Sequence, residues 1–423
     1  MISPIKFPRT TAMILAGGRV GELSVLTLER PKSALPFAGH FRIIDFPLSN
    51  LCCAGINNVG ILSQYRPAPL IDHIGVGESW DFIGLDRGAK ILPPYHAADG
   101  SDWYRGNADA IYQNLRYLKA QETAIALILS GDHVYTMDYR HLIRTHLEKR
   151  ADLTIAFKKV QAKDRRFGYG QLGRNGRLLA YDEKPAEPRS DLASLTIYVF
   201  RMEALAEVLT GMGEFDSIEF GRDVIPAMLT RYRVFGYIFE GYWAYTRTVD
   251  AYYEAHCDLL RGKIGLENWM IRTNNNDNSL VRQTPPIFRA WTEAEGSLIS
   301  EGCIIEGKVV DSVLGPGTRI GRGAVVESSI LFNDVIVHPG ARVREAIIDK
   351  RVIIGRNASV GMRPGAPGTQ VTPQVSQKGI TVVGKSARIA DGIDVPRSGI
   401  VQPGALVEDR QEHHRSHPSG TAH

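Results

Sequence analysis

The chain has 423 residues, 43% hydrophobic and 23% charged, with a formal net charge of +4. That length exceeds one ordinary core, so two domains are expected, and so small a net charge does not point to nucleic acid. Cys52, Cys53, Cys257 and Cys303 lack zinc spacing and are too few for a disulfide scaffold, no apolar run reaches the ~18 residues of a membrane span, and no signal-peptide pattern opens the chain, so a cytoplasmic protein with no membrane partner is expected.

Residues 1–265 alternate apolar strands with helical stretches. "TAMILAGG" (11–18) is a buried strand ending in glycines, "NNVGILSQY" (57–65) is a second and "IALILSGD" (125–132) a third. "ADLTIAF" (151–157) and "SLTIYVF" (194–200) follow. In "NADAIYQNLRYLKA" (107–120) Asn107 can cap a helix whose Ile111, Leu115 and Leu118 share one face. This alternation predicts an α/β domain with a doubly wound, mostly parallel sheet. Ligands of such sheets bind at the carboxyl ends of strands, and "LAGG" and "LSGD" are two such ends.

Residues 266–298, including "RTNNNDNSLVRQTPP", are polar and turn-rich and predict a linker. Over 299–408 the period changes. Apolar residues recur every six positions at Leu314, Ile320 and Val326, at Leu331, Val337 and Val343, and at Ile348, Ile354 and Val360. "RPGAPGTQVTPQVSQKG" (363–379) interrupts the pattern as an expected loop, and the spacing returns at Val383, Ile389, Val395, Val401 and Val407. A six-residue period fits neither an α-helix nor a simple hairpin sheet. It fits a parallel β-helix of hexapeptide repeats, with three short strands per coil and one aliphatic side chain pointing inward from each. The His-rich residues 409–423 predict a flexible tail.

Taken together, "MILAGGR", "ERPKSALPFAGHFRIIDFPLSN", "SQYR", "SDWYRGNADAIYQNL", "LSGDHVY", "DEKP", "FGRDVIP" and "GYW", followed by the β-helix, resemble bacterial ADP-glucose pyrophosphorylase, the glucose-1-phosphate adenylyltransferase family. The resemblance spans nearly the whole chain. It implies that ATP and glucose 1-phosphate become ADP-glucose and pyrophosphate for glycogen synthesis, with Mg²⁺ and under allosteric control. It implies a left-handed solenoid, and a homotetramer or a hetero-oligomer with a homologous subunit. By the same resemblance Asp132 is the Mg²⁺ ligand. Glu183 would accept sugar hydroxyls and Lys184 would hold the sugar phosphate, with Tyr198, Glu219 and Trp243 at the sugar pocket. Gln64, Trp103, Tyr104 and Gly106 would shape the nucleotide side.

Chemistry gives these positions a reason. Phosphoryl-group chemistry asks the protein mainly for positioning and charge neutralisation. Gly17 and Gly18 let backbone N–H groups approach phosphates, and Arg19 and Lys32 would neutralise them, solvated surface charge being the alternative for both. A carboxylate ending a central strand, as Asp132 does, suits a cation that keeps several waters. For Tyr198 and Trp243 the alternative is core packing. His133 is expected to be only a loop residue.

Four positions depart from the family pattern. "GGRVGEL" carries Glu22 where the family has arginine; "YWAYTRT" carries Tyr245 where it has a second aspartate and Arg247 where it has glycine; Glu219 replaces a further aspartate. Three readings follow: an active adenylyltransferase with a modified site, a weakened regulatory paralogue that binds nucleotide or sugar-phosphate effector, or a sugar nucleotidyltransferase of other specificity.

Overall fold

The computed structural model describes residues 7–85, 87–94, 103–161, 163–212, 217–266, 269–274, 284–362 and 376–408. The expected tail at 409–423 and most of the expected loop at 363–379 lie outside these residues. The chain forms two compact units, Met1–Val281 and Arg282–His423.

The first unit is built on nine strands: β1 (Thr10–Leu15), β2 (Asn58–Leu62), β3 (Gly88–Leu92), β4 (Ile125–Ser130), β5 (Leu153–Lys159), β6 (Gly168–Leu172), β7 (Leu178–Glu183), β8 (Leu192–Arg201) and β9 (Val234–Ile238). Their order is β7-β6-β8-β4-β1-β2-β3, and β5 pairs with β8 and β9. Strands β4, β1, β2 and β3 run parallel. The long β8 runs antiparallel to β4, β5 and β6. The sheet is therefore mixed, not mostly parallel as the alternation predicted. The physical reason lies in the connections: β6 and β7 are joined by the short turn 173–177, too short for the helical crossover that a parallel pair requires.

β1 lies between parallel neighbours, so both its faces are covered and its centre reads as an unbroken apolar run. Met13 enters one core with Ile128, Phe157, Phe200, Leu205 and Met228. Ala12 and Ile14 enter the other with Ile61, Leu127, Leu51 and Ile143. Ile111, Leu115 and Leu118 do face one core, but across two helices, Asn107–Gln113 and Leu115–Ala120. Asn114 breaks the run, its Nδ2 donating to the Ala110 carbonyl at 2.9 Å and to the Tyr104 hydroxyl at 3.1 Å. Nor does Asn107 cap the helix: its Oδ1 accepts the Phe220 N–H at 2.7 Å. The Ile218 carbonyl takes the first free N–H groups instead, from Ala108 at 3.1 Å and Asp109 at 3.3 Å.

The second unit stacks parallel strands into three sheets of seven, six and six. One face begins Ile287–Phe288, Ile304–Ile305 and Arg319–Ile320, the second Glu293–Glu295 and Lys308–Val310, the third Leu298–Ile299 and Val313–Leu314. Every strand pair in it is parallel, as a β-helix requires and a sandwich forbids; the pattern is consistent with the left-handed hexapeptide solenoid. The inward residues are those of the six-residue spacing, with Leu314, Val326, Leu331, Ile348, Ile354, Val360 and Val383 all fully buried. Each contributes about 2 kcal/mol of apolar burial. The solenoid starts inside the stretch read as linker, at Ile287. Earlier in that stretch Trp269 donates to Asn50 Oδ1 at 2.8 Å and the Arg272 N–H to Ser49 Oγ at 2.8 Å, holding it on the first unit. Polar composition hid both features, because the first coil shows only Ile299 as a clear repeat residue. Among the described residues no helix is long and apolar enough to cross a membrane.

Burial of three histidines predicts acid sensitivity. His133, His146 and His256 are buried, and loss of hydration pushes each from the ordinary 6.5 down to about 4. Unfolding lets them take up protons, so their contribution is intact above pH ~6.5 and is lost as pH falls toward ~4, up to about 3 kcal/mol apiece. The urea midpoint should fall steadily from pH 7 to pH 4.5, and His256→Phe should flatten part of that slope. A midpoint that stays level would refute it.

Candidate active site

Three parallel strand ends converge. Leu15 of β1 is in register with Leu62 of β2 and with Ser130 of β4. The next residues, 16–18, 63–65 and 131–133, therefore share one edge of the sheet, where the strand order turns outward on either side of β1. A cavity of about 490 Å³ lies there.

One wall of it holds Gly17, Gly18, Gln64, Tyr104 and Gly106, the residues expected to shape a nucleotide side. A Cβ on Gly17 would stand 3.0 Å from the Gln64 backbone nitrogen, so glycine is needed there for packing against β2, whereas Gly18 faces open space. Gln64 Oε1 accepts the Tyr104 N–H at 3.0 Å, and the Tyr104 hydroxyl donates to the Leu92 carbonyl at 2.9 Å. Two expected residues are absent from the wall. Arg19 is exposed on the turn and Trp103 is 61% exposed; neither lines the cavity.

Asp132 lines the cavity. Lys32, only 1% exposed, donates to its Oδ2 at 3.1 Å, and Ser130 Oγ donates to its Oδ1. Burial opposes the charge on Asp132, but Lys32, His133 and Ser130 outweigh it and hold the carboxyl well below its usual range. Lys32 in turn is lowered by burial and held charged by Asp132. Lys32 is not among the lining residues, and its ammonium is held on Asp132.

His133 has more than a loop role. The Trp243 indole N–H donates to its Nδ1 at 3.2 Å, which leaves the proton on Nε2, 3.3 Å from Asp132 Oδ1. It thereby ties the strand pair Trp243–Ala244 and Val134–Tyr135 to Asp132. With its proton affinity lowered to about 4, it stays neutral at physiological pH.

A second wall holds Glu183, Lys184, Tyr198, Glu219 and Trp243, the residues expected at a sugar pocket, together with Tyr181. The Tyr181 hydroxyl donates to Glu183 Oε2 at 3.2 Å, and Lys184 Nζ lies 3.4 Å from Glu183 Oε1. Glu219 Oε2 accepts the Asn107 N–H at 3.3 Å, completing an exchange across the two walls, and burial raises its proton affinity. Gly221 presses on Glu183, where a Cβ would fall inside the carboxylate.

Sequence reasoning missed several lining residues: Arg166, Phe167, Tyr181, Ser194 and Thr196. The pair of arginines before Phe167 was a signal, but a pair of arginines also suits any surface turn. Three of the four departures from pattern, Glu22, Tyr245 and Arg247, meet in space. Tyr245 stacks on Trp243 at 6.2 Å and 4°, with Lys32 Nζ 4.6 Å from its ring centroid. Arg247 Nη1 donates to the Tyr245 hydroxyl at 3.1 Å and its Nε to Glu22 Oε1 at 2.9 Å.

Among the described residues Asp132 is the one lining carboxylate beside Tyr245, which stands where the family pattern has a second aspartate. Among the described residues no group of three or more His, Cys, Asp or Glu could hold a metal by itself. The donor set suits a divalent ion that arrives with phosphate oxygens and waters and leans on a single carboxylate.

The family model described as nucleotidyl transferase matches residues 11–262, and one described as GlmU-like, C-terminal hexapeptide, matches residues 289–383. The chain is 43% identical over 411 residues to the glucose-1-phosphate adenylyltransferase of Thermomicrobium roseum, covering 94% of each chain. It is 36% identical over 407 residues to that of Acetivibrio thermocellus, again covering 94% of each. It is 41% identical over 355 residues to that of Bacillus mycoides, covering 82% of this chain and 92% of the relative.

Proposed function

This chain belongs to the glucose-1-phosphate adenylyltransferase family, and from that premise we propose that it joins ATP to glucose 1-phosphate, giving ADP-glucose and pyrophosphate. One observation carries the reading: a single cavity has Asp132 at its nucleotide end and the Glu183–Lys184 pair at its sugar end. A phosphate oxygen of glucose 1-phosphate forms the new bond to the α-phosphorus of ATP. The bond from that phosphorus to the β-phosphate oxygen breaks, and pyrophosphate leaves with the electron pair. The attacking phosphate is already ionised, so no base is required, and neutral His133 has none of that work to do.

Lys184 grips the sugar phosphate, and Glu183, oriented by Tyr181, accepts sugar hydroxyls. Gln64 and Tyr104 hold the nucleotide wall in place. Family members generally use a divalent metal, and we assign Mg²⁺. Asp132 would hold it together with the nucleotide, and the ion would supply neutralisation of the phosphate charge that builds up as pyrophosphate departs. Assembly as a homotetramer or with a homologous subunit, and a cytoplasmic setting, belong to the same proposal and rest on the family resemblance. Tyr245, a phenol at the second carboxylate position, favours a weakened subunit as the competing reading.

The test is an assay of ADP-glucose formation from ATP, Mg²⁺ and glucose 1-phosphate. Lys184→Ala should raise KM for glucose 1-phosphate ~10–100-fold with kcat changed far less, because a ground-state charge contact is lost. Absence of both ADP-glucose formation and its reversal by pyrophosphate in the wild type would overturn the activity.

A further inference from the structure

We propose that Arg247 is the residue that neutralises the phosphate chain of the nucleotide in this protein, with Glu22 and Tyr245 as its positioning residues. The inference rests on the cavity being the ATP site.

The cations near the Asp132 end differ in what they are free to do. Lys32 is buried behind Asp132 and outside the lining, and Arg19 is exposed and outside it. Arg166 lines the cavity but is clamped on Asp164, its Nε at 2.9 Å from both carboxylate oxygens. Arg247 lines the cavity with one contact to a carboxylate, Nε to Glu22, and one to a neutral phenol, Nη1 to Tyr245. A guanidinium presents five donors in a rigid fork, so these two contacts aim it and leave donors for phosphate oxygens.

Its partners are suited to that task. Glu22 is 44% exposed, so it can yield to a ligand of higher charge. Burial and the nearby Asp132 push the Tyr245 hydroxyl above its ordinary value, so it remains a neutral acceptor. Its ring is fixed by Trp243, His133 and Phe167, with ring centroids 6.2, 4.9 and 5.3 Å away. The Arg247 N–H also donates to the Tyr245 carbonyl at 2.9 Å, which fixes the arginine on the same turn. Glu22 and Arg247 form a pair of zero net charge, with the guanidinium on the far side of the contact. A guanidinium, the group the sequence lost at position 22, is thus present again, supplied from 225 residues away, and it gains its full charge toward a ligand when Glu22 yields.

The experiment compares full-length wild type, Arg247→Ala, Arg247→Met and the double variant Glu22→Arg/Arg247→Ala. ATP and glucose 1-phosphate affinities are measured by equilibrium binding, with Mg²⁺ and in EDTA, beside turnover and the unfolding midpoint. Arg247→Met should weaken ATP at least ~10-fold under both conditions and leave glucose 1-phosphate within about twofold. The double variant should recover at least half of the ATP affinity that Arg247→Ala loses, because it returns a guanidinium to the same place from the other end of the contact. Unchanged ATP affinity in a folded Arg247→Met protein, or a double variant no better than Arg247→Ala, would overturn the inference. A wild type that binds ATP but makes no ADP-glucose defeats the proposed activity alone, and the binding comparison still decides the role of Arg247. A wild type that does not bind ATP defeats both.

Discussion

Asp132→Asn should lower ADP-glucose formation by at least ~10³-fold, and it should also destabilise the first unit. The first effect follows from the proposed role of Asp132: removing the carboxylate assigned to the nucleotide end would forfeit neutralisation of transferring phosphate worth roughly 3–4 kcal/mol or more. The second follows from Lys32. Its side chain is 1% exposed and its ammonium is held by Asp132 Oδ2 at 3.1 Å. Removing one partner of a buried ion pair costs about 3–5 kcal/mol when the other charge is stranded. Asparagine keeps a carbonyl oxygen as acceptor, so a loss of about 2 kcal/mol is expected. Lys32→Met/Asp132→Asn should recover stability without recovering activity. Turnover near the wild-type rate in Asp132→Asn would show that this carboxylate is not in the chemistry. An unchanged urea midpoint would show that Lys32 does not depend on it.

Gly106→Ala should cost about 3 kcal/mol and weaken ATP binding with it. Gly106 has φ +118°, which side-chain-bearing residues rarely adopt, and an added Cβ would collide with the Ile218 carbonyl. That carbonyl accepts the N–H groups of Ala108 and Asp109 and so terminates the helix Asn107–Gln113. The substitution combines a backbone penalty of about 1–2 kcal/mol with loss of a cap worth about 1–2 kcal/mol. It also loosens the Asn107–Glu219 exchange that joins the two walls. Gly18→Ala is the comparison, because nothing stands within 4 Å of a Cβ there. Its urea midpoint should match the wild type, while that of Gly106→Ala falls. Equal midpoints for the two would remove the basis for the clash.

Much of this was legible before any coordinates. The solenoid was readable because one residue per strand must point into a narrow core, and that need recurs along the chain as Leu314, Ile320 and Val326. The sheet strands were readable because β1 is covered on both faces and must be apolar throughout. Asp132 was legible as a strand end and Glu183 and Lys184 through the family resemblance of "DEKP", and all three line one cavity. The call on Asn107 as a cap failed because capping preference is local, while the Phe220 N–H that takes its side chain comes from 113 residues away.

The sequence by itself determined the elements, the repeat, the family and the kinds of charge available to the site. Burial periodicity and glycine turns are local properties, and chemistry is written in residue type. Only the tertiary structure decided where each charge is used. Strand order brings residue 22 beside residue 247 and residue 32 beside residue 132. The same order leaves Arg19 and Trp103 outside the cavity. An ion pair needs atoms within about 4 Å. Over separations of 100 or 225 residues, that distance is set by how strands pair and chains cross, which no local pattern records.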